Sequence, residues 1–208
     1  MTRSPKEKLV DRLLLLHLLS KASEIDSSLG VTKIEKLVFL SEWAMISNRE
    51  KGFNYSYIKL TYGPYSDQLL RQDLPWLITS GIVEGRTLSP TEMGKAILDD
   101  FKDLFSRNEV FIRRIDRTVE EYIRMPLKEL LNMVYSMSHP YIKGRTICDV
   151  KERTPLLYAL DERKARKVFN LTPEEIATLE IYFDTKAFKS LMEAMEDKKP
   201  TLTFEKVV

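Results

Sequence analysis

The sequence predicts a mainly α-helical protein with a small β-hairpin, winged-helix-like over residues 1–105 and helical over residues 106–208. Three observations predict it. From Thr32 to Phe101 a helical segment, a Tyr62-Gly63-Pro64-Tyr65 turn, a second helical segment, a tiny hairpin and a third helix follow one another. Beyond residue 108 the apolar residues recur at helical spacing. Of 208 residues 43% are hydrophobic, which is enough to build a core.

Residues 6–23 read as a helix whose Leu9, Val10, Leu13, Leu14, Leu16, His17 and Leu18 wrap most of its circumference, so it is expected to be buried. Thr32 and Glu35 have capping-box spacing and are expected to open the next helix. Ile34, Leu37, Val38, Ser41, Ala44 and Met45 form one stripe of that helix, and Phe39 with Trp43 a second. Asn48 to Gly52 reads as a polar loop, and Tyr55 to Leu60 as a short strand that Gly63-Pro64 stops. Gly63, preceding a proline, is expected to be extended. Ser66 is a good N-cap for the following helix, and Asp73 with Pro75 marks a restart or kink. Ile82–Glu84 and Thr87-Leu88 flank Gly85-Arg86 as a hairpin, the expected wing. Ser89-Pro90-Thr91-Glu92 is read as a capping box with proline at the first helical position.

In the second half, Val110–Arg124, Leu127–Met137 and Asp161–Val168 are helix candidates, joined by an irregular connector over residues 138–156. Thr172-Pro173-Glu174-Glu175 opens a last helix running toward Glu196, and Thr201–Val208 alternates like a strand.

The chain carries a net charge of +2, unevenly spread. Residues 1–100 are neutral, residues 101–170 hold 15 basic against 10 acidic groups, and residues 171–208 hold 5 against 8. The single Cys148 excludes an internal disulfide framework and a multi-thiolate zinc site. No export signal and no run of roughly 18–20 apolar residues is present, so no membrane partner and a cytoplasmic setting are expected.

Little in the sequence points to chemistry. His17 reads as a core histidine and His139 as a turn residue; only a pairing of His139 with Cys148 would suggest a nucleophile and base. The seven glycines form no phosphate-binding pattern. The expectation is a non-enzyme with no cofactor, no metal and no catalytic residues.

Binding is the better reading. As a DNA reader the module would use Gln68, Arg71 and Gln72 for bases and Arg86 for the backbone, a thin basic set for a polyanion. Arg107, Arg113, Arg114 and Arg117 share one basic region and Arg163, Lys164, Arg166 and Lys167 another. Each is either a solvated face, with Asp116, Glu120 and Glu121 as ion partners, or a site for an anionic partner. Tyr55, Tyr57, Tyr62 and Tyr65 cluster around the Gly-Pro corner, and tyrosine is a favoured interface anchor.

Lys36-Leu37-Val38-Phe39-Leu40, an aromatic strand, and then Tyr62-Gly63-Pro64 leading into a helix together resemble the Panacea, or SocA-like, antitoxin domain over roughly residues 30–100. Leu127–Tyr135 resembles a helix found late in that family. The resemblance implies an antitoxin or adaptor that binds and neutralises a protein partner, such as a cognate toxin of a phage- or plasmid-associated system. The outward-displayed corner is then expected to make the contact through Tyr62, Gly63, Pro64, Tyr65, Gln68 and Arg71. Residues 171–208 would add acidic and apolar contacts, with a strand lent to the partner. The alternative is a winged-helix transcription regulator.

Overall fold

Ser4-Pro5 at the head of a leucine-rich segment starts the first helix. Ser4 Oγ accepts from the Glu7 N–H and the Glu7 carboxylate accepts from the Ser4 N–H at 2.8 Å, a capping box that the sequence reading passed over. In the computed structural model, which describes residues 3–184, this helix is α1 (Pro5–Ile25). Leu13, Leu14, Leu15, Leu16, Leu18 and Leu19 are all buried, as its all-round apolar pattern implied, and α1 is the central rod of the fold.

α2 (Val31–Ser47) follows, but Gly30 takes the cap position and Thr32 caps nothing. Glu35 is buried and turns to a tertiary task described below. The expected polar loop contains β1 (Glu50–Lys51). Next come β2 (Tyr57–Leu60) and β3 (Gly63–Tyr65), an antiparallel hairpin in register Ile58–Tyr65, Lys59–Pro64 and Leu60–Gly63. The hairpin of this protein therefore sits at the Tyr-Gly-Pro-Tyr stretch. Gly63 has φ +88°, not the extended value expected, because it follows a two-residue turn, Thr61-Tyr62, and must swing the return strand back.

From Gln68 to Asp73 the chain is π-helical, and it tightens into α3 (Leu74–Thr79). Ser66 Oγ accepts weakly from the Leu69 N–H, in keeping with its expected capping role. The change of pitch falls at Pro75, which has no N–H to give and fits the first turn of the new helix. The expected wing is reduced to one antiparallel bridge, Val83 to Pro90, with Leu88 at positive φ. Thr91, not Ser89, caps α4 (Glu92–Asp100) through the Gly94 N–H.

A bend at Phe101 gives α5 (Lys102–Arg107), then α6 (Glu109–Tyr122) and α7 (Leu127–Ser136). β4 (Pro155–Leu157) emerges from the irregular connector and adds to β2, completing a three-stranded antiparallel sheet in the order β3-β2-β4. The helix expected over Asp161–Val168 is instead a single 3₁₀ turn, Glu162–Lys164, followed by β5 (Lys167–Val168), parallel to β1. The charged run there has few apolar positions to bury as a helix, whereas Phe169 anchors the strand by packing edge-on to Phe111. α8 (Pro173–Tyr182) carries the expected Thr172–Glu175 capping box. The continuation toward Glu196 and the strand at Thr201–Val208 lie outside the described residues.

The fold is thus mainly helical with a small antiparallel sheet. One core runs from Leu9 to Phe183 and crosses the boundary expected at residues 105 and 106, because α6 lies against both α1 and α2. Among the described residues no helix is long and apolar enough to cross a membrane.

Close packing of α4 on the Val83 bridge depends on Gly94, where a Cβ would stand 2.4 Å from the Ile82 carbonyl oxygen. Gly94→Ala is expected to destabilise the protein by about 1–3 kcal/mol in urea denaturation, against less than about 0.5 kcal/mol for Gly30→Ala, which meets open space.

Candidate interaction surface

Lys36 and the Tyr62-Gly63-Pro64 corner meet in space. Lys36, only 1% exposed, projects from α2 beneath the β2–β3 hairpin. Its Nζ donates to the Pro64 carbonyl at 2.6 Å and to Glu35 Oε2 at 2.5 Å. The other Glu35 oxygen accepts from the Ser66 N–H at 3.1 Å. Burial lowers the Lys36 pKa, and the adjacent Glu35 carboxylate opposes that shift. This dyad grips the backbone on both sides of Tyr65.

The tip of the hairpin is braced from the second half of the chain. Tyr135 of α7 donates its hydroxyl to the Thr61 carbonyl, and Thr61 Oγ1 donates to Glu152 at 2.7 Å. Lys59 Nζ reaches the carbonyls of Cys148 and Val150. Tyr62, held between these supports, is 70% exposed.

A second buried ionic centre holds the π segment. Asp73 accepts from Arg3 at 2.5 Å, Arg12 at 3.1 Å and the Tyr55 hydroxyl at 3.1 Å. Asp11 accepts from Arg3 at 2.7 Å and from the backbone and side-chain N–H groups of Asn54. Burial opposes the charge on Arg3, yet Asp11 and Asp73 together raise its pKa above the ordinary arginine value. Asp11 is raised to about 7 by burial, with Arg3 holding it back and Asp73 adding repulsion.

These contacts sort the residues expected to meet a partner. Tyr62 and Arg71 are exposed, and Tyr65 is half-buried with its hydroxyl accepting from Arg71 Nε at 3.1 Å. Gly63 and Pro64 are buried. The corner is therefore not displayed whole: its glycine and proline form the sheet edge over Lys36, and only its first tyrosine stands clear. Gln68 spends its side-chain carbonyl on the Ser56 N–H at 2.9 Å, so it positions the loop instead of facing out. Gln72 is exposed but pairs with Arg3 and Asp67, and Arg86 sits exposed in the reduced wing. The base-reading trio Gln68, Arg71 and Gln72 is thus largely engaged within the protein.

His17 lies 2.8 Å from Asp116 and against the Phe105 ring. His139 is buried, and its Nδ1 accepts from the backbone N–H groups of Tyr141 and Ile142; no hydrogen bond joins it to the exposed Cys148. Among the described residues no group of His, Cys, Asp and Glu side chains is arranged to hold a metal ion.

Sequence reasoning missed three groups. Arg3 and Asp11 draw no notice in the sequence, and Asp73 reads only as marking a helix restart or kink. Glu42 is fully buried in α2, neither carboxyl oxygen having a hydrogen-bond partner, and burial followed by repulsion from Asp11 raises its pKa well above 4.5. Tyr141 and Tyr158, each 53% exposed with ring centroids 5.6 Å apart, form an aromatic pair beyond the end of β4. A charged residue on an apolar helix stripe is the only signal that could have exposed Asp11 or Glu42.

Comparison with protein-family models, curated proteins and solved structures yields no match.

Lys36→Met is expected to cost about 3–5 kcal/mol, because it leaves Glu35 buried without its cation, and adding Glu35→Gln to recover part of that loss. Urea denaturation of the single and double variants measures both. For Glu42 the folded chain keeps a proton that the unfolded chain releases above pH 4.5, and Asp11 does the same from 3.8 up to about 7. Stability supplied by these protons is complete at low pH and lost as pH rises. The wild-type denaturation midpoint should therefore decline between about pH 4 and about pH 7, and Glu42→Gln should show a shallower decline. Equal slopes would assign the proton uptake elsewhere.

Proposed function

We propose that this chain is a non-catalytic interaction protein of antitoxin or adaptor type, which binds a protein partner through the hairpin tip and the adjoining π segment. The observation that carries the reading is the mounting of Tyr62. A large aromatic side chain stands in solvent on a backbone immobilised by Lys36, Glu35 and Tyr135. An anchor that is already rigid loses little conformational entropy on binding, which is what an interface centre requires.

Tyr65, Asp67 and Arg71 continue the same surface, with Arg71 in a loose exposed ion pair to Asp67 that a partner's carboxylate can displace. Occlusion is the mechanism: the partner's working surface is covered by contact with this ridge. The resemblance of Lys36–Leu40 and Tyr62-Gly63-Pro64 to the antitoxin domain supports the same reading, since those residues build the clamp and its hairpin.

The products of reading frames adjacent to the gene are the partners to test. Co-expression should relieve growth arrest caused by one of them, and Tyr62→Ala with Arg71→Ala should weaken that relief at unchanged protein level. Tyr62→Ala is expected to cost about 2 kcal/mol of binding, near thirtyfold in affinity by titration calorimetry. Full relief by the double variant would remove the hairpin tip from the interface, and relief by none of the pairings would remove the antitoxin role.

A further inference from the structure

The basic regions read separately in the sequence meet through Lys167, while Arg107 and Arg163 pair with Glu175 and Asp161. α6 presents Arg113, Arg114 and Arg117 on one side, and β5 brings Lys167 against them, enclosing a groove of about 310 Å³ whose remaining lining is Glu109 and Val110. Arg49 and Arg166 stand beside it: the Arg49 carbonyl accepts from the N–H groups of Arg166 and Lys167, which fixes β5 next to the end of α2. Arg49, at φ +56°, is exposed, as are Arg113, Arg117, Arg166 and Lys167.

The local carboxylates neutralise only part of this surface. Glu109 pairs with Arg113, and Glu50 with Arg114 at 3.0 Å. Asp116, one of the partners expected for the arginines, is taken by His17. Glu120 and Glu121 form no ion pair with them, so Arg117, Lys167, Arg49 and Arg166 have no acidic partner among the described residues. Like charges three and four residues apart on α6 repel, a small cost that an anionic ligand would reverse.

We infer that this groove is a binding site for the phosphate backbone of a nucleic acid. Arginine forks match phosphate oxygens in bidentate geometry. The lining offers no aromatic or large apolar anchor of the kind that centres a protein interface, with Val110 its lone apolar residue. Of the side chains that read adenine edges, Asn and Gln, it has none, and arginine and lysine contacts that fall on phosphates carry no sequence information. The site is distinct from the Gln68–Arg86 elements first considered for DNA and does not depend on the hairpin tip.

The test is fluorescence anisotropy with labelled 20-residue single-stranded and duplex DNA of two unrelated sequences, at about 50 and about 200 mM salt. Full-length protein should bind both sequences alike, with affinity falling steeply with salt. Arg117→Glu with Lys167→Glu should weaken binding at least about tenfold and reduce the salt slope for the duplex by about 2. Arg117→Gln with Lys167→Gln, which perturbs the exposed surface less, should shift both in the same direction, while Arg71→Ala with Arg86→Ala should leave both unchanged. Absence of binding at low salt overturns the proposal, as does loss of binding in the Arg71/Arg86 variant alone. Equal or tighter binding of a labelled poly-glutamate peptide also overturns it, assigning the groove to an acidic protein surface.

Discussion

Two aspartates in a desolvated interior, Asp11 and Asp73, set the constraint on which the rest of this structure depends. A buried carboxylate is tolerated only when cations and hydrogen-bond donors surround it. Here Arg3 bridges the two, Arg12 and Tyr55 complete Asp73, and Asn54 completes Asp11. Satisfying them brings together the chain start, the central helix, the loop before the sheet and the end of the π segment. Breaking any arm leaves a charge in the core, so the four segments are held in a single arrangement.

That arrangement determines what can be displayed. With the π segment pinned by Asp73, Gln68 is turned in to Ser56 and the exposed Gln72 is engaged by Arg3, and the helix is a poor groove reader. The Lys36–Glu35 dyad performs the matching task for the hairpin. Since Pro64 and Ser66 supply their backbone groups to it, the Gly-Pro corner becomes support and Tyr62 becomes the exposed element. Polar residues buried at cost thus produce rigidity at the surface, which is where recognition benefits from it.

The two halves of the chain act together in this. Tyr135, Glu152 and the carbonyls of Cys148 and Val150 brace the hairpin from the second half, and β4 completes its sheet. In the other direction, the turn at Arg49 between α2 and β1 seats β5 and assembles the basic groove against α6. Hairpin tip and groove are therefore products of the same interlocked chain, the one presenting an exposed tyrosine and the other a cluster of arginines and a lysine.

Local pattern alone determined the long helices. The leucines of α1, the stripes of α2 and the Thr172 capping box were legible because helical periodicity and capping involve residues within four positions of each other. The strand at Tyr57–Leu60 was legible from alternation over Tyr55 to Leu60, but the positive φ of Gly63 and the return strand through Pro64 were not. What Glu35, Lys36, Asp11, Asp73 and Glu42 do was not, since the backbone groups held by the first two and the cations around the aspartates lie in other elements, and a charge in a sequence carries no mark of the burial that Glu42 undergoes. Thr32–Glu35 shows the competition directly: its local spacing promised a cap, but a buried lysine and the Ser66 amide needed that carboxylate more than an exposed helix end did. The strand at Lys167-Val168 and the joining of two basic runs into one groove likewise arose only when distant segments packed, because β pairing and charge clustering are properties of neighbours in space.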